Sequence, residues 1–488
     1  MSNWASLHWT NECQWAEERA WLERLGLKLP GDDEWLHRPW LAPASCYYPP
    51  APYETVTRTQ LLFDLPILKM FLQQAYIGWE FWQQRGWDWD CFFVEWTRFL
   101  EGRSSDTFPV SEAFLPLRQA PLDNHSGPCV ACAGLQSRSQ TVYMDRMLAL
   151  PTIRMRNREG RLFELDPGDP AQACRTSWMF DVATGYLRPV SALSYPSRLG
   201  IIEHVSCGSE WIPVRPVEEG TPEPLDEQPM FARIAPRTGY LRLPTLSFGN
   251  SERLLRWREW VTPDAPLETL IVDLRGNEGG SYEWAIPVLE ALTGERNFIT
   301  PTSVRRKQSS LTALLEWGFV QARSRDFKLP ISPALRGRLQ HALDNLLTSH
   351  PEEVSFEERR SSWSFCEHRF PSRPAPGRPS VLVLADNSCG SDGEALVCML
   401  ASLDGTTVAG SNTFGIAQFT NPGYFVLPHT RLPYRVAMGV SDIYGDQRSF
   451  DGYGLAPDIL LPTRESQKKE HFAALLAAIY RAQNQIAG

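Results

Sequence analysis

At 488 residues the chain exceeds one simple core and calls for about two to four structural units. With 43% hydrophobic and 22% charged residues it is not a disordered chain, and a net charge of −9 gives no overall basic footprint for nucleic acid. No apolar run reaches the roughly 18 residues of a membrane span, and the polar opening "MSNWASLHWTNECQWAEERAWLERL" has no apolar signal core, so ten scattered cysteines read as reduced thiols of a cytoplasmic protein with no membrane partner.

Residues 1–60 form an N-terminal extension rich in Trp and Pro, with a short helix expected over about 12–26. From Leu61, "LLFDLPILKMFLQQAYIGWEFWQQRGWDWDCFFVEWTRFL" places apolar residues at helical spacing. Asp64 is the expected N-cap with Pro66 early in the helix, "RGWDWD" breaks it, and a second helix runs to about Leu100, giving a helical bundle unit over 61–124. Eleven of the eighteen tryptophans fall in the first hundred residues; they read as packing residues of that bundle, with a Trp-lined ligand groove as the alternative.

Residues 125–229 read as a small β-rich unit. Its runs "TVYMDRMLAL", "GRLFEL", "GYLRPVSAL" and "GIIEHVSCG" are separated by turn signals, and the acidic, Pro-rich linker "RPVEEGTPEPLDEQP" closes it. Cys129 and Cys132 in "CVAC" have no matched second pair, so no metal site is expected. The run then alternates: "TGYLRLPTL" as strand, "RLLRWREWV" as helix, "LETLIVDLRG" as buried strand, "YEWAIPVLEALTG" as helix, "SVLVLAD" as strand, and a helix from near Gly393. This alternation predicts an α/β layer over 230–302 and 378–465. Between its halves, 303–377 is an insertion with helical stretches and more Lys and Arg than Asp and Glu: a lid, a partner surface, or a solvated decoration. Residues 466–488 form a C-terminal helix.

Two Gly-rich turns follow two buried strands of that layer, "VDLRGNEGGSYE" and "LADNSCGSDGEALV". Neither is followed by Gly-Lys and Ser or Thr, and the glycine spacing is wrong for a dinucleotide, so no cofactor is expected. A serine at a strand-to-helix turn suits acyl transfer, because the helix N-terminus gathers N–H donors and a second Gly-rich turn can add another. Ser391, the N–H of Asp392 and an N–H from Gly279 or Gly280 are the candidates. Asp273 and Arg275 of "VDLRG" are expected to fix their turn by hydrogen bonds.

"LIVDLRGNEGG", "SCGSDGEA", "GSNTFG" and "FDGYGLAPDI" follow in the order and rough spacing of the C-terminal processing and tricorn-type serine peptidases, which the chain resembles over about 60–125 and 235–462. The resemblance implies a crotonase-like (ClpP/crotonase-type) α/β core and puts Ser391 at the nucleophile position. The processing branch would carry a lysine at the position of Ile416 in "TFGI", so its Ser/Lys dyad is absent unless Lys307 or Lys328 arrives from the insertion. The tricorn-type branch, to which "GSDG" is more similar, uses a serine, a histidine and an acid. By that resemblance His125 in "LDNHS" is the general base and Asp451 in "FDGYGLAPD" orients it. The acid is usually glutamate in that branch, and Asn124 stands where a serine is usual. The implied function is a serine peptidase acting on peptides or proteins. The alternative is an inactive, peptide-binding pseudopeptidase that grips an extended peptide as an added strand and presents it to a partner enzyme, with the insertion as the docking surface.

Overall fold

The computed structural model describes residues 55–118, 120–123, 125–128, 139–145, 154–164, 175–207, 209–218, 229–246, 267–280, 286–293, 303–309, 354–359, 376–427, 432–442 and 451–485, and isolated positions 311, 312, 315, 316, 333, 337, 341, 374, 429 and 430. The expected helices at 12–26 and 253–261, the Cys129/Cys132 pair, Lys328, Asn124, most of the acidic linker and most of the insertion lie outside the described residues. The chain divides into two units, one of residues 1–136, 304–359 and 419–440, the other of 137–303, 360–418 and 441–488.

In the first unit, the helix Arg58–Ala75 starts earlier than the sequence predicts. Thr57 caps it by accepting from the Gln60 N–H, while the Gln60 side chain accepts from the Thr57 N–H, a complete capping box. Asp64 is therefore not the N-cap. It faces inward at 1% exposure and accepts from the His429 N–H (2.9 Å), the Thr430 N–H (2.7 Å) and the Thr430 hydroxyl (2.5 Å). Burial pushes its carboxyl up to about 6 against those three donors. The short helix Gly78–Gln83 and the helix Trp89–Glu101, capped by Asp88, follow. Trp79 stacks on Trp89 at 5.0 Å, and both Trp89 and Trp96 are fully buried with their indole N–H groups on backbone carbonyls, so these tryptophans are packing residues.

The helices cover a five-stranded sheet whose order is Ser355–Arg359, Ser303–Gln308, Pro433–Asp442 and Phe419–Val426, with Gly127–Pro128 also on Pro433–Asp442. Two described segments of the 303–377 insertion, Ser303–Gln308 and Ser355–Arg359, are thus antiparallel strands, with Arg305 and Glu358 opposite each other. Lys307 points into the unit. Its ammonium, with a fully buried side chain, binds the carbonyls of Gln73 and Tyr76 at the C-terminus of Arg58–Ala75 and the Glu80 carboxylate (2.6 Å). Burial lowers its pKa to about 8 although Glu80 pulls the other way. Lys307→Met is expected to lower stability by about 2–4 kcal/mol, measured by denaturant unfolding, because two buried carbonyls lose their donor.

The second unit holds a ten-stranded sheet in the order Arg215–Pro216, Ser139–Met144, Tyr186–Pro196, Arg175–Asp181, Ile459–Leu460, Thr406–Gly410, Ser380–Ala385, Thr269–Asp273, Thr238–Arg242 and Met230–Ala235. Pairing is parallel from Arg175–Asp181 through to Thr238–Arg242 and antiparallel outside that block. The central strands "TLIVD" and "SVLVLA" are buried at every position after the first because both sheet faces are covered. Leu270 and Val272 pack with Val383 and the helices Ile286–Thr293 and Asp392–Ala401, while Ile271, Leu382 and Leu384 pack with the helix Phe472–Gln485 on the other face. This is an α/β fold. The β-rich stretch is continuous with it: four of its strands extend the large sheet, and four others form a separate antiparallel sheet in the order Glu210–Pro213, Ile202–Cys207, Arg154–Asn157, Leu162–Glu164. No helix among the described residues is long and apolar enough to cross a membrane.

Candidate active site

The two Gly-rich turns leave the carboxyl ends of neighbouring parallel strands, Thr269–Asp273 and Ser380–Ala385, where ligands bind in open α/β sheets. They are joined by backbone and side-chain bonds. Leu274 N–H donates to Leu384 O (2.8 Å), Gly390 N–H to Asn277 O (2.9 Å), and Gly276 N–H to Asp386 Oδ1 (2.9 Å), which also accepts from Ser388 N–H (3.0 Å). Burial raises the Asp386 carboxyl while those N–H groups and Arg275 counter it. Beneath the first turn, Asp273 accepts from Arg275, Arg242 and the Tyr240 hydroxyl. Burial pushes the Asp273 carboxyl up, but the two guanidiniums and the hydroxyl overcome it and the net shift is downward. The expected fixing of this turn by Asp273 and Arg275 is therefore seen.

Ser391 begins the helix Asp392–Ala401 with φ 52° and ψ −125°, one of two non-glycine residues with positive φ among the described residues. Such a conformation costs about 1–3 kcal/mol and persists only where the surroundings impose it. The side chain is half-buried and makes no capping hydrogen bond, unlike most serines at this position. The first turn lies directly against it: a Cβ on Gly279, whose φ is +105°, would fall 2.7 Å from Ser391 Cβ, 2.9 Å from Gly390 O and 3.0 Å from Asp392 N. Gly279 N–H donates to Asn277 Oδ1 (2.9 Å), and Gly280, at φ 138°, follows on the exposed side of the turn.

Three residues beyond Ser391, Glu394 is fully buried. It accepts from the Thr413 hydroxyl and from the N–H groups of Gly415 (2.7 Å), Ile416 (2.8 Å) and Ala417 (2.9 Å). Burial raises its carboxyl and the four donors act against that. The loop it holds is stitched to the segment carrying Asp451: Leu455 N–H donates to Thr413 Oγ1 (2.7 Å), Gly452 N–H to Gly415 O (2.8 Å), and Asp451 N–H to Gln418 Oε1 (3.3 Å). Ser391, Gly279, Ile416 and Asp451 thus belong to one bonded framework within the second unit.

His125 belongs to the first unit. It is 7% exposed, and its N–H donates to Asp123 Oδ1 (2.7 Å). Asp123, whose carboxyl burial pushes upward against Ser126, Tyr76 and the His125 N–H, anchors the turn, and Ser126 Oγ accepts from Ala437 N–H (2.9 Å). Lys307 is committed to helix carbonyls and Glu80 in that same unit.

Residues 237–461 match the model described as Peptidase family S41. That stretch, a little under half of the chain, is similar to the serine peptidases of family S41. Peptides or proteins are the substrates such a family implies. Solved structures to which the chain is similar include mature CPAF complexed with lactacystin (15% identity, 88% of this chain and 99% of that one, TM-score 0.42). The photosystem II D1 C-terminal processing protease (12%, 83% and 92%, TM-score 0.32) and the tricorn protease (13%, 52% and 18%, TM-score 0.24) are others. No curated protein matches the chain.

Cys389, two residues before Ser391, is fully buried and burial pushes its thiol well up, so it is a poor nucleophile. The one metal-capable grouping among the described residues, Glu465, Glu470 and His471, lies in the C-terminal segment, where Lys468 pairs with Glu465. Sequence reasoning missed Glu394, Asn277 and Asp386. Glu394 carried a signal, an acid inside the apolar helical run "GEALVCML", since a carboxylate buried there must find donors.

Proposed function

We propose that the chain is a peptide hydrolase on a crotonase-like core, with Ser391 as nucleophile, His125 as general base and Asp451 as the acid that orients it. The observation that carries this reading is the backbone of Ser391: a positive φ at a tight strand-to-helix turn holds a hydroxyl out of its own helix cap, as a nucleophile turn requires. In this mechanism Ser391 Oγ attacks the scissile carbonyl and its proton passes to the His125 imidazole, whose protonated form Asp451 stabilises. The oxyanion is met by the N–H of Asp392 and of Gly280, the Gly279 N–H being given to Asn277. Collapse expels the amine with the proton held by His125, and water then hydrolyses the acyl-enzyme by the same route. The buried Ile416 gives no proton acceptor at the dyad position, so the histidine route is the one the residues support.

Incubation of the full chain with a reduced, alkylated, unfolded protein, followed by mass spectrometry of new termini, tests this. Termini that accumulate with time and vanish in His125→Ala are expected. Tight binding of peptides without any new terminus would overturn the hydrolase reading in favour of the pseudopeptidase.

A further inference from the structure

The carboxylate of Glu394 touches no reacting atom, yet it lies where three parts of the second unit meet. It stands in the first turn of the helix that Ser391 begins, where the helix dipole favours an anion. It takes donors from Thr413, Gly415, Ile416 and Ala417, all from one loop. The Thr413 hydroxyl gives its proton to Glu394 and so must receive the Leu455 N–H on a lone pair (2.7 Å), and Thr413 N–H in turn donates to Leu455 O (3.1 Å). Leu455 lies four residues after Asp451, and Gly452 is bonded to Gly415 in the same loop. A Cβ on Gly415, at φ +83°, would meet the amides of Gly452, Tyr453 and Gly454 at 2.7–2.9 Å, so these two loops pack backbone to backbone.

We propose that Glu394 is a positioning residue of this site, acting through the Thr413 hydroxyl to hold the Asp451 segment in register with the turn that presents Ser391. The inference rests on the reading of Ser391 as nucleophile. Four donors converge on its two oxygens, so the loop is built around a group that accepts on both. An amide in its place would aim N–H at N–H. A purely structural carboxylate would move stability; a positioning one moves the reactivity of Ser391 without moving what the site binds.

The experiment measures labelling of Ser391 by a fluorophosphonate probe, by intact mass against time and probe concentration, in wild type, Glu394→Gln, Thr413→Val and Thr413→Ser, with thermal unfolding alongside. Thr413→Val keeps the shape and the three amide donors but removes the hydroxyl link, so it serves where Glu394→Gln does not fold. Thr413→Val is expected to label about 100-fold more slowly at saturating probe with the half-saturating concentration changed by less than about threefold, and Thr413→Ser to recover the wild-type rate. Wild-type labelling with Thr413→Val equally fast, or with Thr413→Ser as slow as Thr413→Val, would overturn the positioning role and leave the nucleophile standing. An unlabelled wild type would remove the nucleophile and this inference together.

Discussion

Ser391→Ala is expected to reduce peptide turnover by about 10⁴-fold or more while leaving the unfolding midpoint unchanged. On the proposed reading of Ser391 as nucleophile, the activity loss follows from removal of the attacking oxygen. The unchanged stability follows from the structure: the hydroxyl makes no cap bond, the side chain is half-buried, and alanine meets the same backbone strain as serine. Ser391→Gly sharpens the contrast. Glycine adopts φ 52°, ψ −125° without a Cβ penalty, so this inactive variant should gain about 1 kcal/mol of stability over wild type. Strain held at a residue that the fold does not need is what a functional constraint looks like.

Gly279→Ala carries the second-largest effect. Its Cβ would lie 2.7 Å from Ser391 Cβ and within 3.0 Å of two backbone atoms of the nucleophile turn, and none of these is the far end of a flexible side chain. The φ of +105° adds strain of its own. The turn must therefore move, and a displacement of about 1 Å is enough to cost about 100-fold in turnover. Gly160→Ala is the control: its φ is +80°, but nothing lies within 4 Å of the added Cβ. That variant should lose about 1 kcal/mol and keep full turnover, read by thermal unfolding and peptide cleavage side by side.

The α/β core was legible because "LIV" in "LETLIVDL" and "VLVLA" in "SVLVLAD" are unbroken apolar runs without alternation, as a strand covered on both faces requires. The Ser391 turn was legible as a run of small residues between two buried elements, though its positive φ was not. Asp64 shows where local reading fails. An acid two residues before a proline reads as a cap, yet its donors arrive from a loop 365 residues later and the true capping box lies one residue before Arg58. Glu394 hid for the same reason, its four donors coming from 19 to 23 residues on. The β-rich stretch was read as a separate unit because its strands are short and turn-bounded; that Arg175–Asp181 pairs with Ile459–Leu460 is a long-range choice no local pattern records. The roles proposed for His125 and Asp451 come only through resemblance, since a histidine and an acid serving a distant serine would leave no spacing to read.

The central claim is that Ser391 is an activated nucleophile. Exposure of the full chain to a fluorophosphonate probe, followed by intact mass and peptide mapping of the adduct, tests it most directly. The account predicts a single adduct on Ser391 that is lost in Ser391→Ala and in His125→Ala. No adduct on the wild type, or an adduct on any other residue, would contradict it.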